Sequence, residues 1–183
     1  MNLTIVNGSI FDADVEAIVN PANSFLRHGG GLARAIADAA TAVPHAEDVP
    51  EHTYFYAAGR AAAWQDEQEQ HPAIPTGGAG WTSAGALPYK GIVHAVGPIW
   101  QDGSLYESAL LACAYRSAAA VAAAKGCRSA AFPAISCGIF GFPVDLAAQI
   151  AVRAFRDGPL RRAYLYIPEP EIYEAFTHAY RQL

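Results

Sequence analysis

The chain has 183 residues, 52% of them hydrophobic, and a formal net charge of −5. That length suits one domain with a sizeable core. The acid excess argues against a groove tracking nucleic-acid phosphates, which needs a basic stripe, and no apolar run reaches the length of a membrane span, residues 118–124 being far too short.

In chain order, residues 3–6 alternate and are β-branched, which predicts a first strand. The start MNLTIVNG has no charged region followed by a long apolar one, so no signal peptide is expected. Gly8-Ser9 turns the chain, and Asp12-Ala13-Asp14 leads into a second strand over residues 16–20. Asn20-Pro21-Ala22-Asn23 ends it, Gly29-Gly30-Gly31 follows, and residues 32–41 read as a helix with Leu32, Ala35, Ile36 and Ala39 on one buried stripe. Pro44 and Pro50 bracket an irregular acidic stretch, and a second helix is expected over 53–70, its polar end at 65–70 a solvated face. A short strand is expected at Trp81-Thr82-Ser83. Residues 91–96 are near-continuously apolar, as in a buried central strand, with His94 a satisfied core group. The longest helix is expected over 105–125, stopped by Gly126. A short buried strand at 129–132, a helix at 144–156, a strand at 163–167 and a helix at 171–182 complete the chain. Strands alternating with helices predict a mostly parallel sheet covered on both faces. With no repeat, low-complexity tail or linker, one domain over 1–183 is expected. Cys113, Cys127 and Cys137 lack CxxC spacing, which suits free thiols in the cytoplasm.

Two Gly-rich loops stand out, each between a strand and a helix. Glycine lets a backbone approach phosphate closely, and free N–H groups at a helix start attract anions. Gly29-Gly30-Gly31 alone reads equally well as a flexible loop. The second loop, Pro133-Ala134-Ile135-Ser136-Cys137-Gly138-Ile139-Phe140-Gly141-Phe142-Pro143, changes that. In open α/β sheets ligands bind outside the carboxyl ends of the strands, so the pair predicts a clamp around a diphosphate.

The stretches NPANSFLRHGGGLARAIADAA, ALPYKGIVHAVGPIW and AFPAISCGIFGFP resemble, in order and spacing, the three signature blocks of the macrodomain, the ADP-ribose-binding module. The resemblance covers residues 3–180. It implies a three-layer α/β/α sandwich with a mixed, mostly parallel central sheet, and a cleft for ADP-ribose or a derivative, free or on ADP-ribosylated proteins. It calls for no metal and no cofactor, and for neither membrane nor nucleic acid as partner. It implies that Asn23 reaches the distal ribose and is the candidate catalytic side chain. An amide both donates and accepts, which suits ribose hydroxyls; the same amide suits a turn cap. It implies that Gly29, Gly30, Gly31 and Leu32 follow the diphosphate and distal ribose, while Asn20 ties the turn. Ser136, Cys137, Gly138, Ile139, Phe140 and Gly141 match the second phosphate loop, with Phe140 against the distal ribose or simply in the core. Ser9, Ile10 and Pro133 fall near the adenine.

Two positions depart from the family pattern. Ser9 stands where the family usually has the aspartate that accepts from the adenine amino group, and a hydroxyl accepts more weakly than a carboxylate. Ala33 stands where mono-ADP-ribosyl hydrolases often carry an aspartate, and the acidic tandem of poly-ADP-ribose glycohydrolases is also missing. The pattern therefore tilts toward binding with weak or no hydrolysis. The alternatives are a hydrolase acting on acyl or ADP-ribosyl esters (an O-acetyl-ADP-ribose deacetylase or mono-ADP-ribosyl hydrolase) and, more distantly, a module for another nucleotide. Other chemistries fit less well. Cys137 near a helix start suggests a low-pKa thiolate, but a cysteine phosphatase wants arginine where Pro143 stands. No GxxxxGK[ST] exists, and His45, Asp48, Glu51 and His52 lack metal-site spacing. His28 beside the glycines reads as structural.

Overall fold

In the computed structural model, which describes residues 2–183, strands Asn2–Val6 (β1), Ala17–Ala22 (β2), Ala79–Thr82 (β3), Gly91–Val96 (β4), Ser129–Phe132 (β5) and Arg162–Tyr166 (β6) form one sheet. The order across it is β1-β6-β5-β2-β4-β3. β3 runs antiparallel to β4, and the other four pairings are parallel. The helices are Gly31–Ala40 (α1), Glu51–Gln70 (α2), Glu107–Ala124 (α3), Val144–Ala154 (α4) and Pro170–Arg181 (α5), with a 3₁₀ turn at Ile10–Asp12.

Successive strand residues point to opposite faces, and this sorts the core into two layers. Ile18, Ile92 and Ala131 pack with Ile36 and Ala40 of α1 and Trp64 of α2. Ala17, Val19, Val93, Phe132 and Leu165 face the other way, onto α3, α4 and α5. The result is the α/β/α sandwich that the resemblance implies. Small residues on α3 and α4, among them Ala118, Ala122, Ala147 and Ala151, are fully buried and let these helices lie close. Phe132 and Phe155 meet edge to face at 4.7 Å between them. Burying each such ring stabilises by about 1.5–3 kcal/mol.

Several boundaries differ from expectation. β2 runs on through Pro21 to Ala22. β5 pairs with β2 only at Ala17 and Ile18, so the proline lies where that ladder has already ended, a place a residue without an N–H can occupy. α3 begins at Glu107 because the Glu107 carboxylate collects the N–H groups of Gln101, Gly103 and Leu105, at 3.3, 3.2 and 2.7 Å, and holds them as a loop. The longest helix is therefore α2, with 20 residues, not α3, with 18. Nor is the polar end of α2 merely solvated. Gln68 is buried against His28, and Glu67 accepts from the Ser83 N–H.

One carboxylate fastens the amino-terminal edge of the sheet. Glu16 meets the Lys90 ammonium at 2.6 Å and accepts from the backbone N–H groups of Arg128 and Ser129. The Ser129 hydroxyl in turn accepts from the Glu16 N–H at 3.1 Å. Lys90 first, then these N–H donors, hold the Glu16 carboxyl at about pKa 2. With the starts of β2, β4 and β5 tied together, their carboxyl ends open on the opposite edge.

Candidate functional site

At that opposite edge lies a cavity of about 470 Å³. It is lined from the ends of all five parallel strands, the arrangement expected of an open α/β sheet. Ser9, Ile10, Asn23, Gly29, Gly30, Gly31, Leu32, Pro133, Ser136, Cys137, Gly138, Ile139 and Phe140 all line it. Gly141 does not. It closes the turn instead, donating to the Gly138 carbonyl at 2.9 Å with φ of +65°.

The first loop is braced by Asn23. Its Oδ1 accepts from the N–H of Phe25 at 3.1 Å and of Arg27 at 3.0 Å, and its Nδ2 donates to the Arg27 carbonyl. The side chain thus lines the cavity and caps its own loop at once. Gly31 opens α1 with φ of +57°, a conformation that favours glycine. No side chain caps that helix start, and its first residues, Gly31, Leu32 and Ala33, line the cavity, a place where uncapped helix N–H groups suit an anion.

His28 lies behind the glycines and does not line the cavity. Its ring stacks on Trp64 with centroids 5.8 Å apart, its Nε2 bonds Gln68, and its Nδ1 lies 3.5 Å from Asn20 Nδ2. Asn20 reaches the loop through His28, but its nearer partner lies in the sheet. Asn20 is fully buried in β2, with Nδ2 3.0 Å from His94 Nδ1. The Thr82 hydroxyl donates to the Ser83 carbonyl at 2.9 Å, so it accepts from His94 Nε2 at 2.8 Å. That assigns the His94 proton to Nε2 and leaves Nδ1 to accept from Asn20. Burial, with His28 and His71 nearby, pushes the His94 pKa down to about 3. His94 is a satisfied core group, and its neutrality is a condition of the fold.

The second loop is held from below by Tyr115, a helix residue that no motif or spacing singles out. Its buried hydroxyl donates to the Pro133 carbonyl at 3.2 Å and accepts from the Ile135 N–H at 2.9 Å. Tyr115→Phe strands both groups and is expected to lower stability by about 2 kcal/mol, measured by urea unfolding. An unchanged midpoint would mean the loop is held another way. Beyond this anchor Ser136 takes φ of +66°, and its Oγ is buried with no partner. Burial first, then the charge of Glu169, pushes the Cys137 thiol up to about 12. The low-pKa thiolate is therefore ruled out, because apolar burial disfavours the anion. Ile139 is 87% exposed and reaches over Gly30, where a Cβ would lie 3.9 Å from its Cδ1. The two glycine loops meet there across the cavity.

Sequence reasoning missed the wall from β6. Tyr166, Ile167, Pro168, Glu169 and Ile172 line the cavity, as do Arg27 and Gly97. No glycine cluster marks the β6 stretch; only the rule that ligands gather at strand ends pointed there. Ser9 accepts from the Phe11 N–H at 3.3 Å and so caps the 3₁₀ turn. No group of three or more His, Cys, Asp or Glu side chains placed to hold a metal occurs among the described residues. Nor is any helix there long and apolar enough to cross a membrane.

Residues 55–151 match the family model for the Macro domain. The chain is 36% identical over 187 residues to a macro domain-containing protein of Caldanaerobacter subterraneus subsp. tengcongensis, covering 99% of this chain and 97% of that one. It is 43% identical over 155 residues to a Cronobacter sakazakii protein named O-acetyl-ADP-ribose deacetylase, covering 85% and 77%. Among solved structures, the Oceanobacillus iheyensis macrodomain with ADP is similar at a TM-score of 0.78 and 29% identity, covering 98% of this chain and 90% of that one. A mutant of the same macrodomain with ADPR is similar at a TM-score of 0.77. On sequence, fold and the joining of two glycine loops at one sheet edge, the chain belongs to the macrodomain family.

Proposed function

We propose that this macrodomain binds ADP-ribose or a derivative of it, and that residues 1–183 work as one such module. The observation that carries this reading is the pairing of two glycine loops, with open backbone N–H groups, on one cavity. In this reading the diphosphate lies along Gly29–Gly31, Leu32 and the 136–141 loop, with the unpartnered Ser136 hydroxyl as a further donor. The distal ribose lies beside Asn23 and Phe140, and the adenine near Ser9, Ile10 and Pro133. The neighbours solved with ADP and ADPR support this class of ligand. Free ligand and ADP-ribosylated proteins are both candidate partners, and the cytoplasm is the compartment that fits free thiols.

A second reading is favoured by the relatives named O-acetyl-ADP-ribose deacetylase. Water would attack the acyl carbonyl, the acyl–oxygen bond would break, and the ribose hydroxyl would take up a proton. Ala33 supplies no base on the glycine loop, so the water would depend on the diphosphate and Asn23 for its position. Calorimetric titration with ADP-ribose beside AMP and ADP tests the first reading. ADP-ribose bound about tenfold tighter than AMP, a difference of about 1.4 kcal/mol, is the expected result. No heat with ADP-ribose would end the reading. Incubation with O-acetyl-ADP-ribose then separates binding from hydrolysis.

A further inference from the structure

The two charged residues on the cavity wall come from different strand ends. Arg27 follows β2, and Glu169 follows β6. Glu169 is the single acid among the lining residues, and its surroundings place it at the base-binding end proposed above. The Asn7 side chain donates to the Ile167 carbonyl at 2.9 Å and the Pro168 carbonyl at 3.2 Å, and the Ile167 N–H donates to Val6 at 2.9 Å. These bonds lock the loop carrying Glu169 against the loop carrying Ser9 and Ile10. Tyr166, Ile167 and Ile172 give that end apolar walls suited to a flat ring.

The two acceptors at this end are not equivalent. Ser9 Oγ is already engaged by the Phe11 N–H. Glu169 caps nothing: it precedes Pro170 at the start of α5, and no side chain bonds that helix terminus. Its carboxylate forms no hydrogen bond or ion pair with any described residue. Glu169 nonetheless lines the cavity, beside Pro168 and Ile172.

Purines differ at one edge. Adenine presents an amino donor at C6, whereas hypoxanthine and guanine present a carbonyl there. An ionised carboxylate only accepts. We propose that Glu169 reads this edge, accepting from the exocyclic amino group of adenine and so supplying base selectivity that the engaged Ser9 hydroxyl does not. The inference rests on the ADP-ribose reading above. The test is calorimetric titration of the intact chain with ADP-ribose and with its hypoxanthine analogue, for the wild type, Glu169→Gln and Glu169→Ala. The wild type is expected to prefer ADP-ribose by about tenfold, as a charge-assisted bond warrants. Both variants are expected to lose that preference with unchanged melting temperature, since Glu169 is exposed and makes no structural bond. A wild type that binds both ligands equally, or variants that keep the preference, overturns the role of Glu169 and leaves the ADP-ribose reading standing. A wild type that binds neither overturns both.

Discussion

Gly97→Val is expected to abolish ADP-ribose binding and to cost the fold about 1–3 kcal/mol, the usual penalty for overpacking. Gly97 is buried at the end of β4, directly beneath the second glycine loop. A Cβ at this position would lie 2.2 Å from Ser136 Oγ and 2.5 Å from Ile135 Cγ2. Neither neighbour can yield cheaply. Ile135 is buried and its N–H is held by Tyr115, while Ser136 is already in a left-handed backbone conformation. The added side chain must lift residues 135–136, and with them the N–H groups proposed to hold the diphosphate. A loss of affinity of about a hundredfold or more follows if two or three such bonds are lost. Titration with ADP-ribose beside thermal unfolding separates the two effects. Wild-type affinity in a folded Gly97→Val chain would show that the loop is not part of the binding surface.

Mild acid is expected to destabilise the protein through His94. The unfolded chain takes up a proton on this histidine near pH 6.5, whereas the buried ring resists it until about 3. Between those values the unfolded state binds more protons, so each fall in pH favours unfolding. The stabilisation is complete above pH 6.5 and declines as pH falls toward 3. From pH 6.5 to 4.5 the loss is on the order of 2 kcal/mol. Glu16, with its carboxyl held at about 2 against an ordinary 4.5, adds its own loss only below that window. Urea unfolding at the two pH values, for the wild type and His94→Gln, isolates the effect. The wild type should lose stability steeply and the variant should not. Equal slopes would remove His94 from the account.

Local chemistry made much of this architecture readable. β5 has its expected bounds because Ser129–Phe132 is a short apolar run between a polar turn and a proline. The two glycine loops were legible because the glycines follow strands and precede helices. What escaped reading depends on contacts distant in sequence. A polar run such as Gln65–Gln70 looks solvated until His28, forty residues earlier, is seen to bury Gln68. Asn20 looks like a turn residue until His94 is placed opposite it across the β2–β4 pair. The β6 wall carries no glycine and no motif, so only its place at a strand end identifies it. Asn23 shows the reverse case: its neighbours in sequence are also its partners, and its side chain serves as brace and lining together.

The pairing of β1 with β6 has a consequence for how the molecule is made. Val6 lies opposite Tyr166 in the register, and Asn7 is bonded to Ile167, 160 residues along the chain. A ribosome releases the first of these segments long before the second exists. Until β6 emerges, β1 has no neighbour on which to settle, and the wall carrying Ser9 and Ile10 has nothing to lock against. Contacts so far apart in sequence are slow to form, and an unpaired strand is exposed to wrong partners in the interval. The nascent chain can assemble the two glycine loops after β2 and β5 first, but the cavity wall that joins β1 to β6 closes only once β6 has been made.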